Sequence, residues 1–291
     1  MALISRSTWL HLRIPFSFFL MPVFCFAASQ VEGLAWWDYV LVGLILHAFL
    51  YPASNGYNSY FDKDEDSIGG LEKPPQVTKD LYFVSLLFDL IALLLGLYYG
   101  WQFVAMLFIY GLASKAYSHP AVRMKRYPIT GWLWVGFFQG AFTYYMVYAG
   151  LSGLPLNSLS GPEVYLPAAL SSVLLLGSYP MTQIYQHWED AKRGDLTLSA
   201  LLRVRGTFIF TAIVFGLATL GFWYFFNRFY HAGYFWRFLV FLLPVFGYFG
   251  YWFLRVLRDP KKADFRHTMR LNLISSLAMI LYFTLITLVT F

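Results

Sequence analysis

A charged run, NSYFDKDED, extends from Asn58 to Asp66 in an otherwise apolar sequence. It follows an apolar stretch, Tyr39 to Tyr51, that is typical of a membrane-embedded helix. Asn58, Asp62 and Asp66 are spaced four residues apart, so on a helix the amide and both carboxylates would share one face. Carboxylates at a membrane boundary are costly unless they are hydrated, paired or bound to a metal. The spacing therefore predicts a site for a hard cation such as Mg²⁺, with a solvated acidic helix end as the alternative.

The composition is that of an integral membrane protein. Charged residues make up 12% of the chain and hydrophobic residues 59%, whereas soluble domains carry roughly 25% charged residues. The net charge of +6 does not indicate nucleic-acid binding, because the basic residues fall between apolar segments, where they set topology and contact anionic lipid or diphosphate. The single cysteine, Cys25, excludes an internal disulfide and a cysteine-based metal site.

Apolar segments predict an all-α polytopic fold, a bundle of about nine transmembrane helices in one domain over residues 1–291. The predicted helices are 11–29, 36–57, 81–99, 101–117, 130–150, 164–186, 207–226, 235–256 and 270–290. With a cytoplasmic N-terminus, the segments on the inner side are 1–13, 58–80, 115–129, 187–206 and 255–270, and together they hold 19 of the 21 Lys and Arg residues. The positive-inside rule thus places both acidic clusters, 62–66 and 189–195, on the cytoplasmic side. We expect the membrane to be the cytoplasmic membrane of a bacterium.

The two halves of the chain read as distant copies, divided by an outer loop at 151–163. The first half carries the acidic run after its second helix, and the second half carries QHWEDAKRGD from Gln186 to Asp195 at the end of its first. Sites in such repeats often lie at the interface of the halves. Two acidic clusters facing each other could hold Mg²⁺ around one diphosphate, which favours ionisation of a prenyl diphosphate sheltered by helices.

Basic residues that could bind the diphosphate lie on the same predicted side. The aromatic and basic segment after the fourth helix supplies the candidates Tyr117, Arg123, Lys125 and Arg126. Arg13, at the head of the first helix, could snorkel back to the same pocket. For each cation the alternative is an ordinary topology charge.

These patterns resemble the intramembrane UbiA-type prenyltransferases over nearly the whole chain, from Arg13 onward. The matching motifs are Asn58-x3-Asp62-x3-Asp66, the Tyr117 to Arg126 segment, and Glu189-Asp190-x3-Gly194-Asp195-x-Thr197-Leu198. The resemblance implies transfer of a prenyl group from its diphosphate to an acceptor, often an aromatic ring such as a quinone precursor, with Mg²⁺ held by two acidic motifs. It also implies metal ligation by Asn58, Asp62, Asp66 and Asp190, with Asp195 a further candidate. Arg13, Lys125 and Arg126 would hold diphosphate, and the catalytic set would be Asp62, Asp66, Asp190 and Lys125.

The second motif departs from the family pattern at Gln186, where an Asp is usual four residues before Asp190. Our hypothesis is that Glu189 supplies the missing charge to the metal site, and that Gln186 keeps a neutral oxygen contact to a metal-bound water or to the acceptor. Otherwise the second site works with Asp190 and Asp195 or holds fewer metals.

Two other classes of function stay open at the level of sequence. One is a non-catalytic homologue that binds prenyl diphosphate or a quinone, which Gln186 suggests. The other is a cation-coupled transporter. Transporters bind their substrates and ions near the midplane of the membrane, so two acidic clusters on one side of the membrane favour an enzyme instead. The expected partners of the enzyme are prenyl diphosphate, a lipophilic or aromatic acceptor and membrane lipid.

Overall fold

The computed structural model describes residues 4–290, whose regular secondary structure is helical, with no β-strand among them. Met1 to Leu3 and Phe291, part of the predicted domain, lie outside the described residues. The α-helices are α1 (Arg6–Leu12), α2 (Met21–Ala28), α3 (Trp36–Leu44), α4 (Tyr51–Asp62), α5 (Asp80–Gly96), α6 (Trp101–Ser118), α7 (Pro128–Gly136), α8 (Thr143–Ser152), α9 (Pro162–Gln183), α10 (His187–Lys192), α11 (Leu198–Phe229), α12 (Ala232–Arg258) and α13 (Phe265–Thr290). The all-α prediction is confirmed.

Seven helical segments within residues 4–290 are long and apolar enough to cross a membrane. They are Arg6–Ala28, Trp36–Asp62, Asp80–Tyr99, Pro162–Gln183, Leu198–Phe229, Ala232–Arg258 and Phe265–Val289. Helix also occupies the two remaining predicted segments, as α6 and as α7 with α8, but these do not meet the same criterion. The polytopic membrane class is therefore confirmed, while the count of nine spans and the cytoplasmic N-terminus stay predictions.

The first span is not the continuous helix that its apolar pattern predicts. It breaks at Arg13, whose backbone is left-handed with φ 47°, and continues as a 3₁₀-helix, Ile14–Leu20, before α2. Positive φ is uncommon for a residue with a side chain. The Arg13 N–H closes α1 by donating to the Leu10 carbonyl. As a result the Arg13 side chain is only 8% exposed and reaches the interior of the bundle.

Two of the predicted transmembrane segments contain a π-helical segment, Ile45–Leu50 before α4 and Phe137–Phe142 between α7 and α8. The first ends beside Pro52, which has no N–H to continue the helical ladder. In the second, a Cβ on Gly140 would lie 2.4 Å from the Ser172 Cα, so only glycine lets α9 approach so closely. Segments of this kind often adjoin functional sites, and Phe138 and Gln139 in the second one line the charged cavity described below.

Aromatic rings hold α2, α11 and α13 together at a distance from the polar ends of the helices. The Phe26 ring of α2 stacks on Phe283 of α13 at 4.3 Å between centroids, and it also contacts Phe222 and Phe225 of α11 at 5.4 and 5.6 Å. Because lipid tails are as apolar as these side chains, the association rests on close van der Waals packing. This cluster provides a rigid scaffold away from the polar residues described below.

Candidate functional site

A cavity of about 210 Å³ lies among the C-terminal ends of α4, α6 and α9. The charged side chains that line it are Arg13, Asp62, Asp64, Lys125, Asp190, Arg193 and Asp195. The aromatic side chains that line it are Phe16, Tyr110, Tyr117, Trp134, Phe138, Tyr179 and Tyr185. Tyr110 precedes the last residue of α6, Ser118, by about two turns, or roughly 12 Å. The cavity therefore runs from a charged mouth into an aromatic interior.

The first acidic cluster is positioned by the abrupt end of α4. Its last residue is Asp62, and the next, Lys63, is left-handed with φ 50° and donates its N–H to the Ser59 carbonyl. Asp62 is 9% exposed and lies on the same face as Asn58, whose side-chain nitrogen donates to Ser118 Oγ at 2.7 Å. Both residues line the cavity as predicted.

Asp66 does not join them, which corrects the predicted line of three ligands. Because α4 ends at Asp62, the helical spacing stops there, and Asp66 is exposed outside the cavity lining. Asp64 lines the cavity instead and forms an ion pair with Arg193. Asp64 belongs to the same acidic run, which marks it as a candidate, but the four-residue spacing favours Asp66 instead.

Two cations connect the two acidic clusters. Arg123, left-handed at φ 44°, donates Nε–H and Nη2–H to both oxygens of Asp195 at 2.8 Å. Lys125 forms an ion pair with Asp62 and lies 3.5 Å from Asp195. Buried carboxylates need such partners, because an uncompensated charge in the interior is strongly destabilising. Lys125 lines the cavity, whereas Arg123 contacts the carboxylates without being part of the cavity lining.

The second acidic cluster is built by a break between α9 and α10. Gln186 precedes the short α10 and lines the cavity together with Asp190. Burial raises the pKa of Asp190 to about 7, although Lys125 and Arg193 oppose the shift. Asp195, 4% exposed, returns to the cavity because its N–H donates to the Asp190 carbonyl.

The position of Glu189 gives no support to the hypothesis that it supplies charge to the metal site, which stays a prediction. Its carboxylate lies 3.0 Å from Arg193 and 3.7 Å from Lys192, one turn further along α10, and it is absent from the cavity lining. The Gln186 side-chain nitrogen donates to the Ser67 carbonyl at 3.1 Å, a contact that the sequence did not predict, and the predicted contact of its amide oxygen stays a prediction. Arg193, which the sequence did not single out, pairs with both Asp64 and Glu189.

Of the remaining predicted basic and aromatic residues, two line the cavity and one does not. Arg13 lines the cavity while it donates to the Asn55 carbonyl at 3.1 Å, and Tyr117 lines it while hydrogen-bonded to Tyr179. Arg126 lies outside the lining, with its guanidinium 4.6 Å from the Tyr127 ring centroid. Its predicted role in holding diphosphate therefore has no support from its position.

The donor set at the mouth fits a hard divalent cation in chemistry. Asp62 Oδ1 is buried without a hydrogen-bond partner, with Arg123 Nη2 at 3.6 Å. The Asn58 nitrogen is used by Ser118, which leaves the amide oxygen for a ligand. Over residues 4–290, no three His, Cys, Asp or Glu side chains already converge as a metal-binding group. A metal would therefore share these carboxylates with Lys125 and Arg123 or displace them.

Comparison with known proteins identifies the family. The profile of the UbiA prenyltransferase family matches residues 19–274. This chain belongs to that family. No curated protein matches the sequence significantly.

Solved structures of the same family share the fold. A UbiA homologue from Archaeoglobus fulgidus bound to GPP and Mg²⁺ is 17% identical, with 97% of this chain and 99% of that chain covered and a TM-score of 0.66. The homologue bound to DMAPP and Mg²⁺ is 16% identical over the same shares, with a TM-score of 0.67. A digeranylgeranylglyceryl phosphate synthase is 17% identical over 95% and 97%, with a TM-score of 0.57. The resemblance inferred from the motifs is thus confirmed.

Proposed function

We propose that this protein is a membrane prenyltransferase that moves a prenyl group from a prenyl diphosphate to an aromatic acceptor of the quinone-precursor type. The proposal rests on one observation: a single cavity is lined by charged side chains in one part and by aromatic side chains in another. Asp62, Asp190 and Lys125 surround its mouth, while Tyr110 and Phe138 lie deeper. A prenyl diphosphate has the same division, a charged head and an apolar tail. Family membership supports the reaction class, and the aromatic lining supports an acceptor that is a ring.

Mg²⁺ is the expected cofactor, held by Asn58, Asp62 and Asp190 with help from Asp64 or Asp195. The unpartnered Asp62 Oδ1 supports this assignment, as do the relatives bound to Mg²⁺. When bound, the ion would neutralise charge on the diphosphate leaving group.

Lys125 and Arg13 would bind the leaving group. Lys125 touches both Asp62 and Asp195, so a diphosphate oxygen could replace either carboxylate as its partner. Such a cation accelerates ionisation because the negative charge on the diphosphate grows as the bond breaks. The C1–O bond breaks with its electron pair on diphosphate, a ring carbon of the acceptor bonds to C1, and the ring releases a proton. Tyr117 and Tyr179 present rings that stabilise the allylic cation and exclude water.

The reaction would take place at the cytoplasmic face of a bacterial inner membrane. The cavity mouth lies in the segments that hold 19 of the 21 Lys and Arg residues, and basic loops stay on the cytoplasmic side.

The test is release of pyrophosphate by protein purified in detergent, with Mg²⁺, geranyl diphosphate and a panel of hydroxylated benzoates and naphthoates. We expect a prenylated ring and pyrophosphate in equal amounts, both lost on addition of EDTA, with Asp62→Asn as the inactive control. Binding of geranyl diphosphate without release of pyrophosphate for any acceptor would instead support a non-catalytic binding protein.

A further inference from the structure

A tight turn forms part of the lining of the charged cavity. It comprises Ser67 to Glu72, with the sequence SIGGLE. Ile68 and Leu71 exchange two backbone hydrogen bonds of 2.9 Å, and Ser67 Oγ donates to the Glu72 carbonyl at 2.8 Å. Gly70 has φ +86°, a conformation that residues with a side chain rarely adopt. The turn is therefore a small ordered unit rather than a loose loop.

The two faces of the turn line different cavities. Ile68 and Gly69 line the charged cavity, whereas Gly70 and Leu71 line a second cavity of about 450 Å³ beside α1 and α13. Arg13 and Phe16 line both. A Cβ on Gly69 would lie 2.4 Å from the Phe16 ring, so turn and ring are in close contact. Together they form the wall between the charged cavity and the second, mainly apolar one.

Two hydrogen bonds from distant parts of the chain hold this wall. Arg13 Nη1 donates to the Gly69 carbonyl at 3.3 Å, and Gln186 Nε2 donates to the Ser67 carbonyl at 3.1 Å. A third contact, from Arg266 to Glu72 at 3.0 Å, is solvent-exposed on both sides, and exposed ion pairs contribute little. Of these three contacts to the turn, only the one from Gln186 comes from the second acidic motif.

A side-chain amide can make this contact and a carboxylate cannot. The Ser67 carbonyl accepts, so position 186 must donate, and an ionised Asp or Glu has no proton to give. A carboxylate there would place two acceptor oxygens against each other. We infer that Gln186 is a positioning residue that clasps the turn 67–72 in the lining of the cavity, and that the glutamine at this position serves this contact rather than a metal.

The consequence for chemistry rests on the proposed function. With the turn in place, the allylic cation is separated from the second cavity and from water. With the turn loosened, water can attack: the C1–O bond breaks, the water oxygen bonds to C1, and a proton leaves to solvent, which yields prenyl alcohol and pyrophosphate. The clasp thus directs the prenyl group to the acceptor.

The clasp is tested first without substrate, by hydrogen–deuterium exchange of the 67–72 amides in detergent. Gln186→Met removes the donor without adding charge, and Gln186→Glu and Gln186→Asp replace it with an acceptor. Because one hydrogen bond contributes about 0.5–1.5 kcal/mol, we expect roughly two- to tenfold faster exchange in all three variants. Arg266→Gln, which removes the exposed contact to the same turn, is the matched control and should exchange like the parent protein. Unchanged exchange in the three Gln186 variants, or a turn that Gln186→Asp protects while Mg²⁺ binds more tightly, would overturn the inference.

The second measurement is acceptor-free hydrolysis of geranyl diphosphate with Mg²⁺. We expect Gln186→Met to release pyrophosphate and geraniol several-fold faster than the parent protein, a change that a purely structural contact would not produce. Hydrolysis at the parent rate, with faster exchange, would overturn the shielding role. If the turn loosens but neither protein consumes geranyl diphosphate or prenylates any acceptor, the proposed function fails and the clasp stands.

Discussion

The two acidic clusters are held in place by different means. Asp62 is the last residue of a 12-residue helix, α4, and its position follows from the backbone. Asp190 lies on a helix of six residues, α10, that is too short to be stable alone. Side-chain contacts hold α10 instead, among them His187 Nε2 to Ser199 Oγ at 2.8 Å and Glu189 to Arg193. The first cluster is therefore fixed by the helix that carries it, whereas the position of the second depends on side-chain contacts with its neighbours.

If this contrast is correct, the largest loss should come from the first cluster. Asp62→Asn should cut turnover by at least roughly 10²-fold, about 2.7 kcal/mol of barrier, because the metal ligand and the partner of Lys125 are lost together. Turnover of geranyl diphosphate and the melting temperature are measured in parallel. A folded Asp62→Asn protein with near-normal turnover would remove this carboxylate from the mechanism.

The next largest effect should come from the cation between the clusters. Lys125→Ala should slow turnover roughly ten- to a hundredfold, about 1.4–2.7 kcal/mol, and raise the KM for prenyl diphosphate. It also leaves Asp62 with only its longer contact to Arg123, so the melting temperature should fall. Lys125→Arg, which keeps the positive charge, is the control and should have the melting temperature of the parent protein. Parent-like kinetics in Lys125→Ala would return this residue to the role of a topology charge.

A smaller effect should come from the support of the second cluster. Glu189→Ala should cost up to about tenfold in turnover, because Arg193 loses one of its two partners and holds α10 less firmly. The Mg²⁺ concentration at half-maximal rate should not change, since Glu189 lies outside the cavity lining. Lys192→Ala, which removes the longer contact to the same carboxylate, is the control. A large increase in the Mg²⁺ requirement would restore Glu189 as a metal ligand.

The same contrast explains what could be predicted from the sequence. Hydropathy located the helical segments, and four-residue spacing placed Asn58 and Asp62 together, because both signals depend on the backbone period alone. The left-handed breaks at Arg13 and Lys63 carry no such signal, since no glycine marks them. The choice of Asp64 over Asp66 follows from the second break. The role of Gln186 depends on a contact 119 residues away along the chain, which no local pattern contains.

The smallest effect is expected at the residue where motif and structure disagree most. Asp66 completes the Asn58-x3-Asp62-x3-Asp66 pattern, but α4 ends before it and its side chain is exposed outside the cavity. Asp66→Asn should therefore change turnover less than about threefold, a small fraction of the barrier that Asp62→Asn adds. The two substitutions remove the same charge four residues apart, so each controls for the other. A loss of roughly 10²-fold in Asp66→Asn would mean that the segment 63–66 folds onto the cavity when Mg²⁺ and diphosphate bind, extending α4 by one turn and restoring the line of three ligands that the spacing predicts.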